Sequence, residues 1–138
     1  MPFLCFNILM VHIRLAETYE ATELSHLAFD SKAHWGYSAD FMERCRDDLQ
    51  VSPESCAAGL VKVAVEGDKL AGYYRLSGRA PDGKLDDLFV NPEYIGKGVG
   101  RKLIEAAREQ SRMLGFTALE IHSDPNAEQF YVHIGAKK

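Results

Sequence analysis

Hydrophobic and polar positions along the chain predict a mixture of strands and helices. Residues 11–16 alternate between apolar and polar side chains, as is typical of a half-buried strand. Four further β-rich runs follow at residues 60–65, 70–76, 85–90 and 117–123. Apolar residues at helical spacing predict helices over residues 17–29, from Ser38, from Val99 and over residues 127–134. The predicted order is therefore β-α-α-β-β-β-α-β-α, with a polar loop at residues 77–83.

The most informative stretch is a strand, a glycine-rich turn and the start of a helix, at residues 85–108. Asn91 and Pro92 end the strand, and three glycines, Gly96, Gly98 and Gly100, precede the helical periodicity. The first backbone N–H groups of a helix lack partners and lie at the positive end of its dipole, so they bind anions. The pattern predicts a turn that binds a phosphate or pyrophosphate, with positive charge added by Lys97 and Arg101.

Spacing distinguishes this turn from two other phosphate-binding loops. A P-loop requires G-x-x-x-x-G-K-[ST], and here Lys97 is followed by Gly98. A dinucleotide-binding fingerprint requires G-x-G-x-x-G near the start of a parallel βαβ domain, whereas this turn lies late in the chain. Neither alternative is favoured by the spacing.

Two segments instead resemble the motifs of the GNAT superfamily, the acyl-CoA-dependent N-acyltransferases. V-N-P-E-Y-I-G-K-G-V-G resembles V-x-P followed by [QR]-x-x-G-x-[GA], with Ile95 in place of Gln or Arg. D-P-N-A-E-Q-F-Y-V-H-I-G-A resembles N-x-x-A-x-x-[FL]-Y-x-x-x-G-[FA], with Asp124 in place of the usual Asn. The resemblance spans roughly residues 11–138.

The resemblance implies an α+β fold in which a mixed, mostly antiparallel sheet carries helices on both faces. Residues 10–138 would form one GNAT-like domain, and residues 1–9 an N-terminal extension or a lengthened first strand. Members of the family continue into a final strand that this sequence does not include. We therefore expect an open edge on the fifth strand, which is covered by the N-terminal extension, covered by a second copy in a homodimer, or left exposed.

The resemblance also implies acetyl transfer from acetyl-CoA to a primary amine of a small molecule or peptide, by direct attack in a ternary complex. Tyr131 occupies the position of the family's general-acid tyrosine; the alternative is an aromatic residue packed beside Phe130. The residues assigned to acetyl-CoA are Leu88, Phe89, Val90, Gly96, Lys97, Gly98, Val99, Gly100, Arg101 and Asn126. Asn126 is equally a simple first-turn helix residue.

The acceptor side is expected around the link between the first two helices and along the fifth strand. The candidate substrate-binding residues are His34, Trp35, Tyr37, Glu120 and His122. Trp35 has a second interpretation as a core anchor of its loop. The candidate bases are Glu120, His122, Asp86 and Asp87, each of which has an alternative structural or solvated role.

Composition narrows the remaining classes of function. The 138 residues fit one domain, and a net charge of −4 argues against a general nucleic-acid surface. Three cysteines without ligand spacing predict neither a metal site nor a disulfide framework, in keeping with a cytoplasmic protein. The apolar opening is too short to span a membrane. The second hypothesis is an acyl-CoA-binding sensor or interaction module without turnover.

Overall fold

The computed structural model describes residues 2–5 and 10–138, and within them five strands form one sheet. The strands are β1 (His12–Leu15), β2 (Val61–Glu66), β3 (Lys69–Arg79), β4 (Asp82–Val90) and β5 (Ala118–Ile121). They lie in the order in which they occur along the chain, with antiparallel neighbours except for the parallel pair β4 and β5. The predicted mixed, mostly antiparallel sheet is confirmed.

Five α-helices pack on this sheet, and each of its faces has its own core. The helices are α1 (Ala21–Ala33), α2 (Ala39–Cys45), α3 (Pro53–Ala57), α4 (Val99–Met113) and α5 (Glu128–His133). Val63 and Tyr73 point to the core shared with α1, α2 and α3, whereas Tyr74 and Leu76 join α4 and α5 on the other face. Successive strand residues point to opposite faces, so both sides of the central strands are apolar and buried.

Helix α4 follows the predicted periodicity closely. Its buried positions recur every three or four residues and form one stripe against the sheet. The close contact depends on Gly72 of β3, where an added Cβ would lie 2.7 Å from the Phe89 carbonyl oxygen and 3.0 Å from Leu103 Cδ1. The helix thus holds the glycine turn against the end of β4.

The predicted polar loop at residues 77–83 is wrong. Strand β3 continues to Arg79 and β4 begins at Asp82, so that Ala80 and Pro81 alone connect them. Gly78 and Gly83 face each other in the register, where Gly78 has a φ of +100° and the Phe116 ring covers Gly83. Polar side chains remain compatible with strands here because the hairpin end extends beyond the core.

Other differences from the sequence prediction are small. The first helix begins at Ala21 after a 3₁₀ turn at Thr18–Glu20, and the Ser52–Pro53 turn extends into α3. A second 3₁₀ turn, Pro125–Ala127, precedes α5. Residues 2–5 form no strand, and the interpretation of residues 1–9 falls largely on residues 1 and 6–9, outside the described residues. Among the described residues, no strand pairs with the outer edge of β5.

Candidate active site

A large cavity opens where the parallel strands β4 and β5 separate. Their pairing ends at Leu85 and Ile121, and the last hydrogen bond runs from the His122 amide to the Leu85 carbonyl at 3.2 Å. Beyond that point β4 continues to Val90 with no neighbour on this side among the described residues. A cavity of about 850 Å³ fills the gap and is lined by both strand ends, the glycine turn, α5 and the α1–α2 link. Main-chain groups of β4 are thereby available to a ligand.

The glycine turn forms one wall of this cavity. Gly96 and Gly98 have φ values of +81° and +84°, and Gly98 is the N-cap of α4. An added Cβ at either residue would meet nothing within 4 Å, so glycine is required by the left-handed backbone conformation and not by crowding. The first amides of α4 are left free of intrahelical partners at this wall. The sequence prediction of an anion-binding turn therefore corresponds to a real helix N-terminus that lines a cavity.

Positive charge near the turn comes from Arg101 more directly than from Lys97. Arg101 lines the cavity and has no ion pair with a described residue. Lys97 is exposed, lies 5.4 Å from the centre of the Tyr94 ring and is not part of the lining. Ile95, which replaces Gln or Arg of the family motif, lines the cavity with 48% of its surface exposed.

Tyr131 lies on α5 in the cavity wall. It is 6% exposed, and its ring packs edge-on against Phe130 with centroids 5.1 Å apart. Its hydroxyl makes no hydrogen bond within the described part of the chain and is not a fully buried atom, so it faces the cavity. Burial raises the pKa of Tyr131 to about 12, so the phenol keeps its proton at neutral pH. This arrangement suits a proton donor.

A hydrogen-bonded cluster, here called the Asp124 cluster (Lys32, Tyr37, Asp124 and Asn126), joins the α1–α2 link to the start of α5. Lys32 Nζ donates to Asp124 Oδ2 at 2.7 Å, and the Tyr37 hydroxyl donates to Asp124 at 3.0 Å. Asn126 Nδ2 donates to Tyr37 at 2.8 Å and to Asp124 at 2.9 Å, which engages both amide protons. Asn126 therefore offers a further ligand only its side-chain oxygen.

The charges in the Asp124 cluster support one another. Burial disfavours the Asp124 carboxylate, but hydrogen bonds from Lys32, the Asn126 amide and Tyr37 outweigh it and lower the pKa of Asp124. Desolvation and the same carboxylate raise the pKa of Tyr37. The side chains of Lys32 and Asp124 are only 18% and 10% exposed, so this ion pair is shielded from solvent.

A second buried cluster lies in β3 and β4, where Asp87 accepts hydrogen bonds from Tyr73 at 3.2 Å and from Arg75 Nε at 2.9 Å. Arg75 also contacts Asp86 at 3.3 Å. Asp87 lines the cavity, but its oxygens are already engaged by these donors. Burial and the neighbouring Asp87 carboxylate raise the pKa of Tyr73 well above its ordinary value.

The remaining predicted acceptor residues occupy different positions. Glu120 and His122 share one face of β5, with Oε1 and Nε2 3.5 Å apart, but only His122 lines the cavity. His34 and Trp35 both line it, and Trp35 is 50% exposed, which argues against a role as a core anchor. Tyr37 lies outside the lining and acts within the Asp124 cluster.

Sequence reasoning did not identify several lining residues. They are Ser31, Asp48, Leu49, Tyr94, Ser123, Asp124, Pro125, Ala127 and Phe130, whereas Lys32 was expected in the acceptor-side loop. The one available signal was Asp124, because a carboxylate at a position usually occupied by Asn calls for a cation nearby. Lys32 stands 92 residues earlier in the chain, and only the fold brings the two together.

None of the helices in the described residues is long and apolar enough to cross a membrane. Residues 2–5 and 10–138 also contain no group of three or more His, Cys, Asp or Glu side chains placed to hold a metal ion.

Comparison with known proteins connects this geometry to a family. A family model for the acetyltransferase (GNAT) domain matches residues 50–137. No curated protein matches the sequence. PaiA N-acetyltransferase from Thermoplasma acidophilum, solved in complex with coenzyme A, is 23% identical, with a TM-score of 0.77 and coverage of 92% of this chain and 89% of that chain.

Two other solved structures share the fold. A GCN5-related N-acetyltransferase from Ralstonia eutropha is 17% identical, with a TM-score of 0.75 and 93% coverage of both chains. A GNAT family acetyltransferase from Brucella melitensis in complex with acetyl-CoA is 22% identical, with a TM-score of 0.67 and coverage of 95% of this chain and 85% of that chain. Since the family model spans more than half of the sequence and these folds agree with it, the chain belongs to the GNAT acetyltransferase family.

Proposed function

We propose that the protein transfers an acetyl group from acetyl-CoA to a primary amine of a small molecule or peptide, by direct attack in a ternary complex. The observation that carries the proposal is one cavity lined by three features: the amino end of α4, the unpaired strand end of β4 and the buried phenol of Tyr131. The amino end of α4 would bind the phosphates of the cosubstrate, and the main chain of β4 would bind its arm and the developing oxyanion. The Tyr131 phenol would protonate the departing sulfur.

The residues of the cavity fit acetyl-CoA. The amides at Gly98, Val99 and Gly100 are placed to bind its pyrophosphate, and Arg101 adds a charge without a described competitor. The main chain of Leu88, Phe89 and Val90 is free to pair with the pantetheine arm, and an amide there would stabilise the developing oxyanion. Lys97 contributes only to the positive electrostatic potential around the turn. The side-chain oxygen of Asn126 accepts a hydrogen bond from an amide of the pantetheine arm.

Acetyl-CoA supplies a thioester whose carbonyl carbon forms a bond to the amine nitrogen as its bond to sulfur breaks. Tyr131 donates its proton to the departing sulfur and recovers one from solvent. The proton lost by the ammonium group leaves through His122, directly or by way of water. Of the four candidate bases, His122 is favoured: Asp86 and Asp87 line the cavity but are engaged by Arg75, and Glu120 lies outside the lining.

Ile95 supports a second candidate function. It replaces a polar residue at the glycine turn and lines the cavity, so one side-chain contact to the ligand is absent. A chain that binds acyl-CoA without turnover, as a sensor or interaction module, is consistent with that replacement. The buried, unpaired phenol of Tyr131 favours the enzyme, because a binding module has no use for a proton donor at sulfur.

Calorimetry of acetyl-CoA with wild type and Gly98→Glu, followed by thiol release with an amine panel, tests the proposal. We expect wild type to bind and Gly98→Glu to lose binding, since it places a carboxylate at the anion site and strains the left-handed φ. Thiol release that depends on Tyr131 establishes the enzyme. Binding without thiol release for every amine favours the sensor, and absence of binding contradicts both candidates.

A further inference from the structure

Helix α1 ends in a tight turn, here called the Trp35 turn (residues 33–36), which carries Trp35 to the cavity. The Trp35 amide donates to the Lys32 carbonyl at 3.1 Å, and the Gly36 amide donates to the Ala33 carbonyl at 3.0 Å. Gly36 has a φ of +90°, a left-handed conformation that glycine adopts without strain. The turn therefore has a defined backbone, and its neighbours on both sides determine where Trp35 lies.

One carboxylate holds both ends of the Trp35 turn. Lys32, just before the indole, donates to Asp124 Oδ2 at 2.7 Å, and Tyr37, just after the turn, donates to Asp124 at 3.0 Å. The Lys32 ammonium also lies 5.2 Å from the centre of the Tyr37 ring. Because Asp124 belongs to the segment between β5 and α5, it fixes the turn relative to the sheet and to α5, and not only to α1.

The indole that this arrangement positions contributes little to packing. Trp35 is 50% exposed, lines the cavity and belongs to neither hydrophobic core, whereas Tyr37 packs against the core under α1 and α2. Within residues 2–5 and 10–138, the indole makes no hydrogen bond and no ring contact. A large aromatic side chain that is fixed in place yet exposed in a cavity is available to contact a ligand.

The Trp35 turn and the anion site belong to opposite faces of the sheet. Helix α1, which leads into the turn, packs with Val63 and Tyr73 on one face, and α4 packs with Tyr74 and Leu76 on the other. In a ternary complex, the amine must reach the thioester without displacing a cosubstrate that is bound at the amino end of α4. Trp35 therefore borders the side of the cavity that remains for the acceptor.

We propose that Asp124 is a positioning residue for the acceptor: it binds Lys32 and Tyr37 and so fixes the Trp35 turn, whose indole packs against an apolar part of the acceptor. The inference rests on the proposed function and deepens it. An indole that is already fixed loses little conformational entropy when the acceptor binds. An asparagine at position 124, as in the family motif, would leave the Lys32 ammonium without a counterion.

Trp35 is the single tryptophan of the chain, so its fluorescence reports on this turn alone. Lys32→Met and Tyr37→Phe each release one end of the turn, and the phenylalanine keeps the ring that packs 4.6 Å from Phe41. We expect either variant to lower the fluorescence anisotropy of Trp35. Its quenching by acrylamide should rise by up to about twofold, because half of the indole is already exposed.

Arg14→Met is the matched control for these measurements, which are made below the melting transition of every variant. It breaks another partly buried ion pair, between Arg14 and Glu20 at 2.9 Å, away from the Trp35 turn. We expect it to change neither the anisotropy nor the quenching. If Lys32→Met and Tyr37→Phe change these values no more than Arg14→Met does, the positioning role of Asp124 is overturned.

Two amines that differ in apolar length test the contact with the acceptor. In wild type, KM for n-hexylamine should be about tenfold lower than KM for ethylamine at similar kcat, because four further methylene groups are partly buried. Trp35→Ala should remove most of this difference without a matching change in KM for acetyl-CoA. Lys32→Met should raise KM for n-hexylamine, and it should add little to Trp35→Ala because it acts through the indole. Additive effects of the two substitutions contradict the positioning role.

Titration of Trp35 emission with the two amines in the presence of CoA separates this inference from the proposed function, because CoA carries no acetyl group to transfer. A saturable blue shift with n-hexylamine that weakens in Lys32→Met and Tyr37→Phe supports the acceptor contact even when no amine releases thiol, an outcome that contradicts acetyl transfer alone. Equal shifts with n-hexylamine and ethylamine, or the absence of any shift, overturn the contact and leave acetyl transfer standing wherever thiol release is seen.

Discussion

At the scale of single residues, Tyr131 has the most specific role to test. Its ring packs against Phe130, and its hydroxyl has no hydrogen-bond partner among the described residues. The ring therefore contributes to stability, whereas the hydroxyl does not. Tyr131→Phe should therefore leave the melting temperature and the acetyl-CoA affinity nearly unchanged and lower kcat about 10²-fold, through loss of the proton donor. The measurements are thermal unfolding, calorimetry and steady-state kinetics. An unchanged kcat would show that the tyrosine only packs.

The pH dependence of the same residue gives a second prediction. Because burial raises the pKa of Tyr131 to about 12, the phenol remains protonated up to pH values above the ordinary tyrosine pKa of about 10. We expect kcat of wild type to show no decline from loss of this proton between about pH 8 and pH 10. Profiles of wild type and Tyr131→Phe should run parallel over that range. A decline centred near pH 10 in wild type alone would show that Tyr131 titrates near its ordinary value, which contradicts the raised pKa and not the donor role.

At the scale of elements, the Lys32–Asp124 pair fastens the end of α1 to the start of α5. The two side chains come from positions 92 residues apart, and both are largely shielded from solvent. Removing one partner leaves an uncompensated charge, whereas removing both leaves none, so the penalties should not add. We expect Lys32→Met and Asp124→Asn each to reduce the free energy of unfolding by about 1–3 kcal/mol, and the double variant to cost less than their sum.

The pH dependence of this pair has a definite sign. The pKa of Asp124 is lowered in the folded state, so its ionised form stabilises the fold fully above the unfolded carboxyl pKa of about 3.9 and progressively less as pH falls through the folded value. The difference between wild type and Asp124→Asn, measured by denaturant unfolding, should be present at neutral pH and fade in that acidic range. Glu43→Gln is the control, because its pair with Arg46 is exposed to solvent and should contribute little to stability at any pH.

The elements also show which parts of the structure were predictable from sequence. The β4 strand, the glycine turn and α4 were accessible because their determinants are local: Pro92 after the strand, glycines at positive φ and apolar residues at helical spacing. The hairpin at residues 77–83 was missed because exposed polar residues extend a strand only when a long partner strand is present. The hairpin forms because β3 and β4 pair along their whole length, and the composition of residues 77–83 does not indicate that pairing.

The candidate site divides in the same way. Tyr131 and the glycines were identified by motif, and the structure brings them to one cavity. Asp48 and Asp124 were not identified as site residues, because carboxylates on turns are usually solvated and the contacts that distinguish Asp124 join distant segments. Local sequence thus predicts the cosubstrate side of the cavity better than the acceptor side.

At the scale of the whole molecule, β5 is an edge strand within residues 2–5 and 10–138, where no other strand pairs with its outer side. The amides of Ala118 and His122 bond toward β4, so alternation along the strand directs the amides of Leu119 and Ile121 to the outer edge. An open edge of this kind is a template for pairing with another strand. Only one charged side chain, Glu120, protects the four residues of β5, and its carboxylate is 3.5 Å from His122.

We therefore expect two copies to associate through β5 in a homodimer, as the sequence also suggested. Hydrogen exchange and sedimentation across a dilution series test this expectation within one protein. In the dimer, Leu119 and Ile121 should exchange slowly and become fast on dilution as the mass falls to that of one chain, because their bonds exist only between copies. Ala118 and His122 are the internal controls, since their bonds to β4 should protect them at every concentration. If the mass stays monomeric at all concentrations, or if the Leu119 and Ile121 amides exchange rapidly in a dimer, pairing between copies does not use this edge.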